Sequence, residues 1–97
     1  MKKLNQKEKD VLKYITLPVM IHIDDHDWVR HQLSFIHERY RLKIAYLYSE
    51  KFFFAFHNYV DSDIKRANYA RKVANNFLRE LVDGIINQPV PSKEKVN

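Results

Sequence analysis

Gly84 is the only glycine in a chain of 97 residues, and that one count limits the fold more than any other feature. Collagen-like, glycine-rich and phosphate-loop designs all need repeated glycine, so none is open to this chain. The scarcity also favours helices over sheet, because tight two-residue hairpin loops want Asn-Gly or Asp-Gly. Cysteine is absent altogether. Disulfides, iron–sulfur clusters, thiolate zinc sites and cysteine nucleophiles are excluded with it. Hydrophobic residues make up 45% and charged residues 30%, the balance of a globular protein rather than a disordered one. A domain this small hides only about two thirds of its unfolded surface, which leaves room for one core and one binding face.

Seventeen Lys and Arg stand against twelve Asp and Glu, a formal net charge of +5. This mild basicity permits nucleic acid or an acidic protein as partner without demanding either. The segment 17–40 runs against the trend, with Asp24, Asp25, Asp27 and Glu38 outnumbering Arg30 and Arg39. Lys2 and Lys3 open the chain in the manner of a signal peptide, but no apolar run follows. The longest apolar stretches, 44–48 and 52–56, fall far short of the ~20 residues that span a bilayer. The expectation is a cytoplasmic protein with no membrane contact.

Asn5-Gln6-Lys7-Glu8 is an Asn-headed capping box, so a helix starts there and runs to about Leu17, where Pro18 bars continuation. Val11, Leu12 and Ile15 form its apolar stripe. Residues 18–23 are short and partly β-branched, and read as a strand with proline at its allowed first position. Asp24 or Asp25 caps a second helix, in which Val29, Leu33, Ile36 and Tyr40 recur on one face.

From Leu42 to Val60 two aromatic, β-favouring runs flank Ser49-Glu50-Lys51, and the pattern is that of an antiparallel hairpin. Phe52 to Phe56 favour this reading, since a buried strand accommodates consecutive rings on its two faces. The last helix is capped by Asp61-Ser62 and closed at Gly84, with Ile85 and Ile86 folding back on its final turn. Its stripe is Ile64, Ala67, Ala70, Ala74, Phe77, Leu78 and Leu81, and the alanines require a close neighbour. The expected fold is α+β: helix, short strand, helix, antiparallel hairpin, long C-terminal helix. One globular domain covers 1–87 and a disordered tail covers 88–97. The alternative is an all-α bundle of four helices, with 25–48 as one helix and the aromatic run opening another.

The polar side of the last helix carries the candidate site. Lys65, Lys72 and Arg79 repeat every seven residues along one line, flanked by Asn68 and Asn75. Lysine and arginine contact phosphates and asparagine pairs with adenine edges, so the strip fits nucleic acid or an acidic groove. The cluster His22, Asp24, Asp25, His26, Asp27 and His31 lacks the spacing that makes ligands converge, and neither metal nor cofactor is expected. The rings of 40–59 serve as core or as a dimer contact.

His57, Tyr59, Lys65 and Arg66 offer acid–base groups and cations for RNA cleavage. The element order over 18–82 resembles that of RelE-type ribonuclease toxins, and the resemblance implies that chemistry. Three functions follow. The first is a small basic regulatory protein, expected to be a homodimer, that binds nucleic acid or an acidic protein. The others are a ribonuclease toxin and a protein-interaction module using the aromatic hairpin.

Overall fold

The computed structural model describes residues 3–87, so the tail expected over 88–97 lies outside the described residues. Four α-helices follow one another: α1 (Gln6–Val11), α2 (His26–Ser34), α3 (Glu38–Asn58) and α4 (Asp63–Ile86). Leu12–Tyr14 and Ile23–Asp25 form 3-10 turns. No strand occurs among the described residues, which overturns the α+β expectation. The chain is all-α, and the element order on which the resemblance to RelE-type toxins stood is not present.

The main correction is α3. The residues read as a hairpin form the heart of a 21-residue helix, and Ser49-Glu50-Lys51 lie inside it. From Glu38 to His57 the sequence contains no Gly, Pro, Asn or Asp, and Ile44 is its only β-branched residue. Nothing in that run breaks a helix, and the triad at its centre offers no turn chemistry. The five residues from Phe52 to Phe56 are indeed spread around the cylinder. Phe52 and Ala55 are buried, while Phe53 and Phe54 remain exposed.

Without the hairpin, 18–23 has no partner strand. The segment runs as irregular chain along α3, with the Met20 amide donating to Ser49 Oγ at 3.2 Å. The all-α alternative gives the right class but not the boundaries. The continuous helix expected over 25–48 breaks at Phe35–His37, where His37 Nδ1 caps α3 by accepting from the Arg39 amide. Val29, Leu33 and Ile36 are buried as expected, but Tyr40 lies beyond the break and is exposed.

The Asn5–Glu8 capping box forms with both its hydrogen bonds. The helix it starts is shorter than expected, because the backbone becomes extended at Ile15 and buries that side chain.

α3 and α4 are joined by four residues and pack as an antiparallel helical hairpin. Ala70 and Ala74 on α4 are fully buried, and Ala45 and Ala55 on α3 are nearly so. Small residues on facing helices let the two backbones approach, and Leu78, Val82, Tyr48 and Phe52 fill the seam around them. α2 lies on the other flank of α4 and contributes Val29 and Leu33 to the same core.

No described residue has positive φ, so no helix here closes on a left-handed cap. Arginine side chains take the exposed carbonyls instead. Arg41 Nε donates to the carbonyls of Leu33 and Ile36 at 3.0 and 2.9 Å, at the end of α2. Arg66 Nε donates to the Phe56 carbonyl in the last turn of α3 at 2.9 Å. Arg30 Nε donates to the Ile15 carbonyl at 3.2 Å, where the first helical segment stops. The Phe56 bond satisfies an acceptor that a helix end leaves open and puts positive charge at the negative pole of α3. The Leu33 carbonyl also accepts from the Ile36 amide, so Arg41 there clamps the α2–α3 turn rather than filling a vacancy.

Gly84 is not the cap expected of it, since α4 continues through it to Ile86. A Cβ at that position would meet nothing within 4 Å. Gly84→Ala is therefore expected to raise unfolding stability by about 0.5 kcal/mol, by restricting the unfolded chain and favouring helix. Urea titration followed by circular dichroism measures it, and a loss of stability would mean the helix does not run through Gly84.

Candidate interaction surfaces

The expected strip on α4 is only partly available. Lys65, Asn68 and Lys72 are exposed on the side away from the alanine seam. Lys65 lies 3.9 Å from Asp61, one turn back, and Lys72 has no ion pair among the described residues. Arg79 is exposed but engaged: its guanidinium stands 5.1 Å from the Trp28 ring centroid, and Nη1 donates to Asn76 Oδ1 at 2.6 Å. Asn75 is half-buried rather than exposed. Its Oδ1 accepts from the hydroxyl of Tyr48, a residue with no exposed area, which draws the amide into the core.

Asn75 is part of a polar knot that no helical spacing announces. Asp25 ends a 3-10 turn and is buried there. Its two oxygens accept from Arg71 Nε at 2.8 Å and Nη2 at 2.9 Å, and Asn75 supplies a further hydrogen bond. Burial pushes the Asp25 carboxyl up. The bonds from Arg71 and Asn75 and the charge of Arg71 together outweigh burial and hold it below the ordinary carboxylate value. The Tyr48 hydroxyl is driven well up, first by burial and then by the Asp25 charge beside it. It remains a neutral donor. Every group in the knot has a partner, and no buried side-chain nitrogen or oxygen among the described residues lacks one. The knot serves the fold.

The other candidate groups are dispersed. Asp27 pairs with Lys9 at 3.4 Å, His22 accepts from the Asp24 amide, and the His31 ring lies 5.1 Å from that of Phe35. No three His, Asp or Glu side chains converge on a metal position among the described residues. His57, Tyr59, Lys65 and Arg66 do gather at the α3–α4 junction, but each is already engaged. His57 packs 4.2 Å from Phe53, Tyr59 stacks on Tyr69 at 4.6 Å, and Arg66 caps α3 while covering the Phe56 ring at 4.4 Å.

The aromatic run expected to serve as core or dimer contact on a hairpin lies instead on a helix, and its division into a buried and an outer face is what the sequence reading missed. At 100° per residue, Leu42, Tyr46, Glu50 and Phe53 lie within about 80° of one another, opposite the buried Ala45, Tyr48, Phe52 and Ala55. Leu42 is 70% exposed, Tyr46 63%, Phe54 56% and Phe53 43%. The irregular segment from Thr16 to Met20 runs beside them as a second wall and holds Val19 out at 91% exposure. Between wall and helix lies an open groove of about 440 Å³, apolar along nearly its whole length. Three rings and a leucine leave roughly 500 Å² of apolar side chain in water, at the upper end of what a monomer's surface carries by chance.

No helix among the described residues is long and apolar enough to cross a membrane. Searches of protein-family models, curated proteins and solved structures find no match for this chain.

Asp25→Asn keeps the side chain's shape and removes its charge from Arg71. It is expected to cost about 2 kcal/mol near neutral pH by urea titration. The folded value of Asp25 is lowered, so its contribution is whole above the ordinary 3.8 and drains away as pH falls through the lower folded value. The wild type and Asp25→Asn should therefore begin to converge in stability only below about pH 4 and meet below the lowered folded value. Curves that stay parallel into acid would show that the knot does not act through charge.

Proposed function

We propose that this chain acts by binding, as a protein-interaction module whose working face is the outer side of α3. One observation carries the proposal: Leu42, Tyr46, Phe53 and Phe54 line a single groove and remain in water, although the same helix buries a full seam against α4. Burying a large apolar side chain is worth about 1.5–3 kcal/mol, so four left uncovered around one groove amount to an unused contact surface. A groove floored by one helix and walled by an extended segment suits the apolar stripe of another helix, anchored at i, i+3, i+4 and i+7.

The proposal is tested by selecting helical peptides from a random display library on immobilised protein. Binders are expected to share that apolar spacing and to lose at least about tenfold in affinity to Leu42→Ser combined with Phe53→Ser. Both positions are exposed, so helicity should be unchanged. Selected peptides that bind the double variant equally well would place the contact elsewhere.

A second reading, contact with nucleic acid or an acidic protein, is favoured by Lys65, Asn68 and Lys72 lying exposed on one line of α4. With Arg79 held on Trp28 and Asn75 turned inward, only two cations meet phosphate along that line. Log affinity for duplex DNA against log salt should then have a slope of about −2. Lys65→Glu with Lys72→Glu should abolish the binding. A steeper slope that survives this pair of changes would exclude the strip as the contact.

A further inference from the structure

We infer that the occupant of the α3 groove is a second copy of the same chain, with the two α3 helices antiparallel about a two-fold axis near residues 46–49. The inference rests on the docking role proposed for this face and adds the identity of the partner. A two-fold interface brings each residue i against j and j against i, so its stripe must read the same chemistry in both directions. The stripe on α3 does so. Outward from its centre at Tyr46 and Ser49 come Leu42 on one side and Phe53 on the other, then Arg39 and His57 at the ends. Apolar residues thus face apolar residues across the axis, with Leu42 of each copy against Phe53 of the other.

The charged flank is complementary in the same register. Lys43 and Glu50 lie on the same side of the stripe, seven residues apart, which is two helical turns. In the antiparallel pairing that sets Leu42 against Phe53, Lys43 of each copy falls beside Glu50 of the other, so two opposite-charge pairs form about the axis. A parallel two-fold pairing would put the two Lys43–Glu50 flanks on opposite sides of the interface, where they do not meet. Within its own chain Lys43 has no ion pair among the described residues. Glu50 accepts only from the Tyr46 hydroxyl at 3.2 Å among the hydrogen bonds described, which leaves acceptor capacity for a lysine.

The area is sufficient. About 500 Å² of apolar side chain is exposed on each copy, so complete burial of both faces, with Phe54 on the Lys43 flank included, gives at most about 1,000 Å², and Val19 and the charged rim carry the contact past the threshold of a specific interface. Val19 stands on the Ser49 side of the stripe and extends the apolar contact there, while Lys43 and Glu50 close the opposite side.

Sedimentation equilibrium on the wild type, Lys43→Glu, Glu50→Lys and the double reversal tests the pairing. The wild type is expected to be a dimer at micromolar concentration. Each single reversal should raise the dissociation constant about tenfold, and the double reversal should return it to within about threefold of wild type. Circular dichroism on the same samples checks that helicity is retained, as expected for surface positions. A wild type that stays monomeric at about 200 μM overturns the inference. So do single reversals without effect, or a double reversal that weakens as much as the two singles together. Failure of the inference is separable from failure of the docking role. A monomer whose groove still binds selected helical peptides, and loses them on Leu42→Ser with Phe53→Ser, sinks the second copy alone. A monomer that yields no such peptides sinks both.

Discussion

Asp25 sits where three parts of the chain meet, and its bond to Arg71 sets how they are arranged. The 3-10 turn that carries Asp25 opens into α2. Arg71 and Asn75 stand one turn apart on α4, and Tyr48 reaches the same point from α3. Apolar packing alone would let α2 slide along the flank of α4, because leucine and valine accept many neighbours at similar energy. A bidentate carboxylate–guanidinium pair does not slide, since both bonds need one relative orientation. Such a pair adds little net stability over a well-packed apolar substitute, and its value lies in excluding other arrangements. The alanine seam between α3 and α4 is placed by this contact too, through the hydroxyl of Tyr48.

Most of α4 was legible from its sequence. Ala70, Ala74 and Leu78 fall on the buried face that their spacing demands, although Ile64 at the head of the same stripe is exposed, and Ser62 caps the helix as its position requires. The capping box at Asn5 was legible from its Asn and Glu three residues apart, and the buried stripe Val29, Leu33 and Ile36 from one face being apolar and the other polar. α3 was not, because it is apolar on both faces. Phe53 and Phe54 blur the period that Phe52 and Ala55 would otherwise show, and the run of rings imitates a strand. The decisive signal was an absence, twenty residues without a helix breaker, which weighs less in a reading by propensity than aromatic residues that are present. The side chains that hid the helix are the ones left uncovered by the fold. The misreading and the candidate surface have one cause.

The candidate residues on α4 divide along similar lines. Lys65, Asn68 and Lys72 are where a helical wheel puts them. Asn75 and Arg79 lie on the same wheel but are claimed by Tyr48 and Trp28, which are remote in sequence. A wheel describes one helix and carries no information about what lies against its flank, so these two could not be assigned from α4 alone.

The arginines that end the helices change what the composition means. In a chain with one glycine, Arg66 closes the end of α3, Arg30 and Arg41 bind carbonyls where the chain turns between helices, and Arg71 is bound to a buried carboxylate. Their guanidinium groups are anchored to the protein's own oxygens and are poorly placed to follow a ligand. The pI of about 9.5 counts all of them. Four of the seventeen cations are thus tied to the architecture, and Arg71 is neutralised by Asp25, so the cations able to reach out to an anion are mainly the lysines.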